Sequence, residues 1–345
     1  MQQERIRWLD ASRGLAIILV VLGHNLIPKA VWNYIYSFHV PVFFVIAGYL
    51  FGMSKTQGFA QHLKKKARTL LVPYAVFYVV LYIYFVAIGS RYGETKSADL
   101  VTPIIGFFYS SSDYLVDIFR PMWFLTTLFV VEMLFFGIAR YFRRAFFIVL
   151  ILCSVLGYLG SLYLPFRLPW GLDTAFTAVV FYGIGYAVRK AGLKSLPGLK
   201  WPNLILVPGF LAANYFLGRW NGGVSLLSND YGSYFLFYSA AITGVCGCIL
   251  IARLLQRLDP LTFIGKNSLI IFALHATAVG LIRGFMKIVL KYPMQNMHNS
   301  LGWGVALTAA AIASLVPVIY VLNRYFPFIL GKGGARAASV PAAPE

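Results

Sequence analysis

Three ionisable residues at the start of the chain have a spacing that could do chemistry. Asp10, Arg13 and His24 all fall in or beside the first apolar stretch. Arg13 and His24 are eleven residues apart, which on an α-helix is about 20° from a whole number of turns and roughly 16 Å along the axis. They therefore share one face, and Asp10, three residues before Arg13, falls near the same stripe. An imidazole can accept or return a proton near neutral pH, and a guanidinium holds phosphate or carboxylate groups through paired hydrogen bonds. From the residues alone two readings stand side by side. One is a reactive stripe on a membrane helix, and the other is an interfacial ion pair followed by a histidine bonded to a neighbouring helix.

Further polar residues stand in or at the edges of apolar stretches, where an ionisable side chain is costly. His39 and His275 each read as catalytic support or as structural hydrogen-bonding groups. Glu132, near the centre of its stretch, should face the protein interior, either beside a site or as a buried hydrogen-bonded carboxyl. Asp173 begins a helix, where it would bind acceptor hydroxyls or act as an acidic first-turn residue. Trp123 suits the wall of a pocket or an interfacial anchor.

The elements that must carry these residues follow from composition. Of the 345 residues 59% are hydrophobic and 12% are charged, about half the charge of a typical soluble domain. Apolar stretches near 11–27, 33–53, 69–90, 121–139, 145–164, 172–188, 201–218, 232–252, 263–285 and 301–323 approach or exceed the ~18 residues that mark a membrane span. The expected fold is all-α, a polytopic membrane protein of about ten helices. With the N-terminus placed in the cytoplasm, 21 of the 30 Lys and Arg residues fall on the cytoplasmic side, as the positive-inside rule requires. Both termini are then expected inside, and the net charge of +19 reports topology, with nucleic acid not expected as a partner. One membrane domain is expected over 1–330, with a disordered Gly-, Ala- and Pro-rich tail over 331–345. The first apolar stretch, with Asp10, Arg13 and His24 and no small-residue cleavage site, reads as a retained helix.

Cys153, Cys246 and Cys248 lie in apolar stretches. The last two point about 200° apart on a helix, so small core residues are expected there and no metal site. No internal repeat is evident. The non-cytoplasmic segment 91–120 is rich in aromatics, and its apolar middle, 100–109, is too short to span.

Several segments carry a family resemblance. Arg7-Trp-Leu-Asp-Ala-Ser-Arg13-Gly-Leu followed by Gly23-His24 resembles the opening of the acyltransferase-3 family of integral-membrane acyltransferases, whose signature is Arg or Lys, ten residues, then His. Phe38-His39-Val-Pro41-Val-Phe43-Phe44-Val-Ile-Ala47-Gly48 is similar to its second-helix motif. Lys65-Lys66-Ala67-Arg68 before Leu71-Val72-Pro73-Tyr74 is similar to its basic R-x-x-R element. Pro121-Met-Trp123-Phe124-Leu125 and Ile264-Gly265-Lys266-Asn267-Ser268-Leu with Leu274-His275 follow in the family's order. Segments 171–187 and 259–275 most resemble the fucose 4-O-acetylase type. Two positions depart from the pattern. Ala47 stands where the family usually has Ser, and Lys65 replaces the first Arg of R-x-x-R, keeping charge but losing bidentate phosphate binding.

The resemblance implies an acyl-CoA-dependent O-acyltransferase of the bacterial inner membrane, with acetyl-CoA as donor and a lipid-linked or exported glycan as acceptor. In that reading His24 is base or acyl carrier, and Asp10 orients or charge-balances Arg13. Arg13, Lys65, Arg68 and Trp123 fall on the donor, and His39 and His275 match family positions and lend support. Glu132 and Asp173 join the acceptor side or the support by their placement in the chain, not by the resemblance. Two rivals fit the span count: a transporter or flippase of lipid-linked sugars, and an inactive membrane sensor that kept the fold. Against the first stand the missing repeats and the lack of paired Gly/Pro-broken short helices.

Overall fold

A computed structural model describes residues 6–51, 58–90, 99–192 and 205–332, with the side chain of Asp117 excepted. The tail expected from 331 falls outside these residues from 333 onward. Among the described residues there is no strand, only a single bridge between Ser225 and Asp230. The helices are α1 (Arg7–Gly23), α2 (Lys29–Tyr36), α3 (His39–Phe51), α4 (Phe59–Lys66), α5 (Val72–Tyr84), α6 (Val101–Tyr109), α7 (Trp123–Tyr141) and α8 (Phe146–Tyr163). They continue with α9 (Leu172–Lys190), α10 (Leu206–Asn221), α11 (Tyr234–Leu255), α12 (Asp259–Lys266), α13 (Ser268–Ile288) and α14 (Leu301–Tyr325).

Among the described residues, eight helical stretches are long and apolar enough to cross a membrane. The other two of the expected ten segments correspond to α1 and α10, which have 17 and 16 residues. At 1.5 Å per residue these are about 24–26 Å long, short of a ~30 Å hydrocarbon core. For α1 the surroundings compensate, because it packs against α3, α11, α12, α13 and α14. Ala11, Ala16, Ile17 and Val21 are fully buried in that contact.

Glycines set the closest helix crossings, as is common where lipid removes the hydrophobic drive between helices. A Cβ on Gly48 would stand 1.8 Å from the Tyr182 carbonyl oxygen, and one on Gly185 would stand 1.9 Å from that of Val45. Helices α3 and α9 therefore touch backbone to backbone. Gly265 meets the carbonyl of Asp10 in the same way, at 1.7 Å, which seats α12 against the start of α1.

Prolines place two irregularities. The expected second span, 33–53, begins earlier and is broken in two at Ser37–Phe38. In a continuous helix the ring of Pro41 would collide with the carbonyl four residues back, that of Ser37, and it brings no N–H. With α3 starting at His39, Pro41 falls in a first turn whose amides lack intrahelical acceptors anyway. Asn214 of α10 secures the break by donating to the Ser37 hydroxyl at 2.9 Å. Likewise, Pro73 is preceded by a π-helical turn over Ala67–Leu71, which absorbs the crowding at Thr69. That turn joins α4 to α5 in one helical stretch, Phe59–Gly89. The basic residues expected in a loop before position 69 are thus carried on a helix.

The apolar middle of segment 91–120, too short to span, forms the nine-residue α6. Tyr78 and Tyr74 hold it by donating hydroxyl protons to the carbonyls of Pro103 and Phe107, each at 2.7 Å. Ile104, Ile105 and Phe108 remain exposed on its other side.

Candidate functional site

The three histidines expected from the sequence converge. His24 caps the C-terminus of α1, just past the last helical turn, while His39 opens α3 and His275 lies in α13. The rings of His24 and His275 are 4.8 Å apart, edge to face at 73°. His24 and His39 line one cavity of about 190 Å3, and His275, fully buried, stands behind His24.

All three rings are anchored in the same way. His24 Nδ1 lies 2.8 Å from the Val20 carbonyl, His39 Nδ1 2.7 Å from that of Ile35, and His275 Nδ1 2.8 Å from that of Phe272. A carbonyl oxygen only accepts, so each Nδ1 carries a proton and donates it. In the neutral ring this leaves Nε2 with the free lone pair. The helix backbone thereby sets the tautomer, and the nitrogen that can take a proton or attack a carbonyl is Nε2.

Aromatic residues wall the cavity. Trp123 and Phe124, at the start of α7, line it, and Trp123 is 8% exposed, so it serves here as a wall. Trp32 and Tyr36 of α2 stack at 3.8 Å and 21° on the other side. Arg120, in the 3-10 turn Asp117–Met122 before α7, contributes the cavity's cationic side chain.

A loop between α10 and α11 completes the cavity with Ser225, Leu226 and Ser228. Asp173, the expected first-turn acid of α9, holds that loop in place. Its Oδ2 is 2.8 Å from Arg167 Nε and accepts from Asn229 Nδ2 at 3.0 Å. Thr174 donates to the Leu226 carbonyl at 2.9 Å, and Tyr231 donates to Asn229 Oδ1 at 2.6 Å. Burial pushes the Tyr231 hydroxyl up to about 12, so it stays a donor through the physiological range. Asp173 is thus buried in a lock around the loop, and its carboxylate does not line the cavity.

Glu132 belongs to a second buried cluster, nine residues along α7 from Trp123 and so about 14 Å away. It is 1% exposed, as its mid-span position leads one to expect. Its Oε1 accepts from Lys66 Nζ, its Oε2 accepts from the Tyr182 hydroxyl at 2.7 Å, and His62 Nε2 stands 3.4 Å from Oε2. His62 is fully buried and was not singled out from the sequence. One signal for it was there: His62 and Lys66 are four residues apart, hence on one helix face, in an otherwise basic segment. The cluster pins α4 to α7 and to α9.

The basic candidates lie apart from the cavity. Arg13 and Asp10 form an i,i+3 pair at 3.9 Å, with Asp10 buried and Arg13 partly exposed. Arg7, at the same end of α1, bonds Asp259 of α12 at 3.0 Å. Lys65 and Arg68 are exposed on the helix that begins at Phe59, and Arg68 Nη2 donates to the Lys332 carbonyl at 3.4 Å. The site residues named from sequence therefore sort into a histidine cavity with Trp123, a basic set comprising Lys65, Arg68 and Arg13 with its partner Asp10, and two buried polar clusters around Glu132 and Asp173.

A family model described as an acyltransferase domain, that of the acyltransferase-3 family, matches residues 6–323. No curated protein and no solved structure matches the chain.

Proposed function

Since this chain belongs to the acyltransferase-3 family of membrane acyltransferases, we propose that it moves an acyl group, most simply acetyl, from cytoplasmic acyl-CoA to a hydroxyl of a carbohydrate. The observation that carries this reading is the pair of imidazoles, His24 and His275, with Nδ1 of each tied to backbone and His24 facing a cavity. Thioester alcoholysis needs a base for the alcohol proton, and an Nε2 lone pair beside a partly enclosed cavity supplies it.

In the direct route the acceptor O–H gives its proton to His24 Nε2 as its oxygen bonds to the thioester carbon. The C–S bond then breaks, and the imidazolium returns the proton to the departing CoA thiolate. In the covalent route Nε2 itself bonds to the acyl carbon and expels the thiolate; the alcohol oxygen then bonds to that carbon as the Nε2–C bond breaks, and the alcohol proton ends on the CoA thiolate. Both routes use the same lone pair.

The basic set fits the donor. CoA carries a pyrophosphate and a 3′-phosphate, which suit the guanidinium of Arg68 and the charge of Lys65. Arg13 lies on the face of α1 that leads toward His24, about 16 Å farther along, so the pantetheine arm would run between them. Asp10 orients Arg13, and Trp123 bounds the acyl group. In this topology both termini are cytoplasmic and the histidine cavity lies toward the opposite face of a bacterial inner membrane. The resemblance of 171–187 and 259–275 to sugar acetylases supports a lipid-linked or exported glycan as acceptor.

The test is purified protein in nanodiscs with acetyl-CoA and a panel of glycans. Consumption of the thioester with matching O-acetyl product is expected. Coenzyme A binding without turnover points to the sensor reading, and no coenzyme A binding at all points to a sugar flippase.

A further inference from the structure

Arg120 lines the histidine cavity, and among the described side chains no acid balances it. Its side chain lines the same cavity as His24 and His39, and none of the cavity-lining residues is Asp or Glu. Among the described side chains no carboxylate lies within ion-pair distance of it. Asp230, in the loop that covers the cavity, is exposed and does not line it. A second cation stands at the rim, where the Lys29 ammonium sits 4.0 Å over the ring of Trp32.

The other groups around Arg120 suit a sugar. Trp32 and Tyr36 present stacked rings, against which the C–H face of a pyranose can lie, and Ser225 and Ser228 add hydroxyls. A neutral acceptor would gain from the guanidinium only what water already offers. A carboxylate or phosphate would gain a charge-assisted, bidentate pair in a partly enclosed site. The donor's own phosphates are an alternative partner, but the basic set proposed for them includes Arg13, about 16 Å along α1 from His24.

We infer that the acceptor bound in this cavity is an anionic carbohydrate, a sugar carrying a carboxylate or a phosphate, with Arg120 as the residue that selects it. The placement of an acceptor hydroxyl at His24 rests on the acyl-transfer reading above, whereas binding of the anion does not.

Two measurements keep these separate. The first is equilibrium binding of methyl glucuronide, glucose 1-phosphate and methyl glucoside to the full-length protein in nanodiscs. At least one of the two anionic probes is expected to bind at least about tenfold more tightly than the neutral one, the scale of one charge-assisted hydrogen bond. Which of them does so tells a uronate from a phosphate. Arg120→Gln should remove that preference, and Arg120→Lys should keep part of it. Equal affinity for all three probes, no measurable binding of either anion, or a preference that survives Arg120→Gln overturns the inference. So does a loss of coenzyme A affinity in Arg120→Gln with the sugar preference intact. The second measurement is acetyl transfer to whichever probe binds; its failure with binding preserved counts against the acyl-transfer reading alone.

Discussion

His24 and His275 stand with ring centroids 4.8 Å apart, edge to face, although they come from opposite ends of the sequence. The contact exists because α1 runs through the middle of the bundle and α13 packs along it. Each ring spends its Nδ1 proton on its own helix, so what they bring to each other is aromatic contact and two Nε2 atoms. His275 Nε2 is buried, while His24 faces the cavity. In the proposed mechanism the outer ring, His24, is the one that reacts, and the inner ring, His275, packs against it.

His275→Ala is therefore expected to lower kcat by about tenfold or more with little change in the KM for acetyl-CoA. Combined with His24→Ala it should add almost nothing, because residues that act as one unit are not additive. Steady-state kinetics of the two single variants and the double variant check this. Additive losses would show two independent roles.

Glu132 holds Lys66, His62 and Tyr182 in a buried site. Removing one partner of such a cluster leaves charge without compensation, at a cost of about 3–5 kcal/mol. Glu132→Ala should lower thermal stability sharply. Glu132→Leu made together with Lys66→Met should recover most of that loss, because an apolar replacement of the whole pair removes the stranded charge. Thermal unfolding in detergent reports both.

Gly185 and Gly137 are both helical, yet they should answer oppositely to a methyl group. Gly185→Ala puts a Cβ into the Val45 carbonyl, and α3 and α9 must separate, so loss of folded protein is expected. Gly137 has nothing within 4 Å of that position, and Gly137→Ala should be neutral or stabilising by up to ~1 kcal/mol. Yield of monodisperse protein and melting temperature distinguish them.

Asp173→Asn weakens the hold on the loop over 222–233 by leaving Arg167 without its carboxylate. Faster amide hydrogen exchange is expected in that loop, together with a higher KM for the acceptor and an unchanged KM for acetyl-CoA. Unaltered exchange would mean that Thr174 and Asn229 hold the loop without Asp173.

The sequence made the membrane class and the all-α fold legible, because runs of apolar residues and a scarcity of charge leave little else. It also picked out His24, His39 and His275 as residues needing a reason to lie in apolar segments, and Glu132 as one that should face inward. Two things were hidden. Helix ends depend on what surrounds them, so α1 starts at Arg7 and stops short of His24, and the basic segment before Pro73 joins its span through a π turn. Neither follows from an apolar count. The partners were the other hidden part. Nothing local pairs His62 with Glu132 or Asp173 with Asn229, since each contact joins elements distant in the chain. Arg120 drew no notice in an outer segment where single charges are common, and only the cavity gives it a context.

The central claim is that His24 Nε2 takes part directly in acyl transfer. Its most direct test is the rate of acetyl transfer from labelled acetyl-CoA to glycan by wild type and His24→Ala, each verified as folded and as binding coenzyme A. A fall of about 100-fold or more in kcat, the usual worth of a general base or nucleophile, is predicted for the variant. Transfer at the wild-type rate by folded, donor-binding His24→Ala would contradict the account.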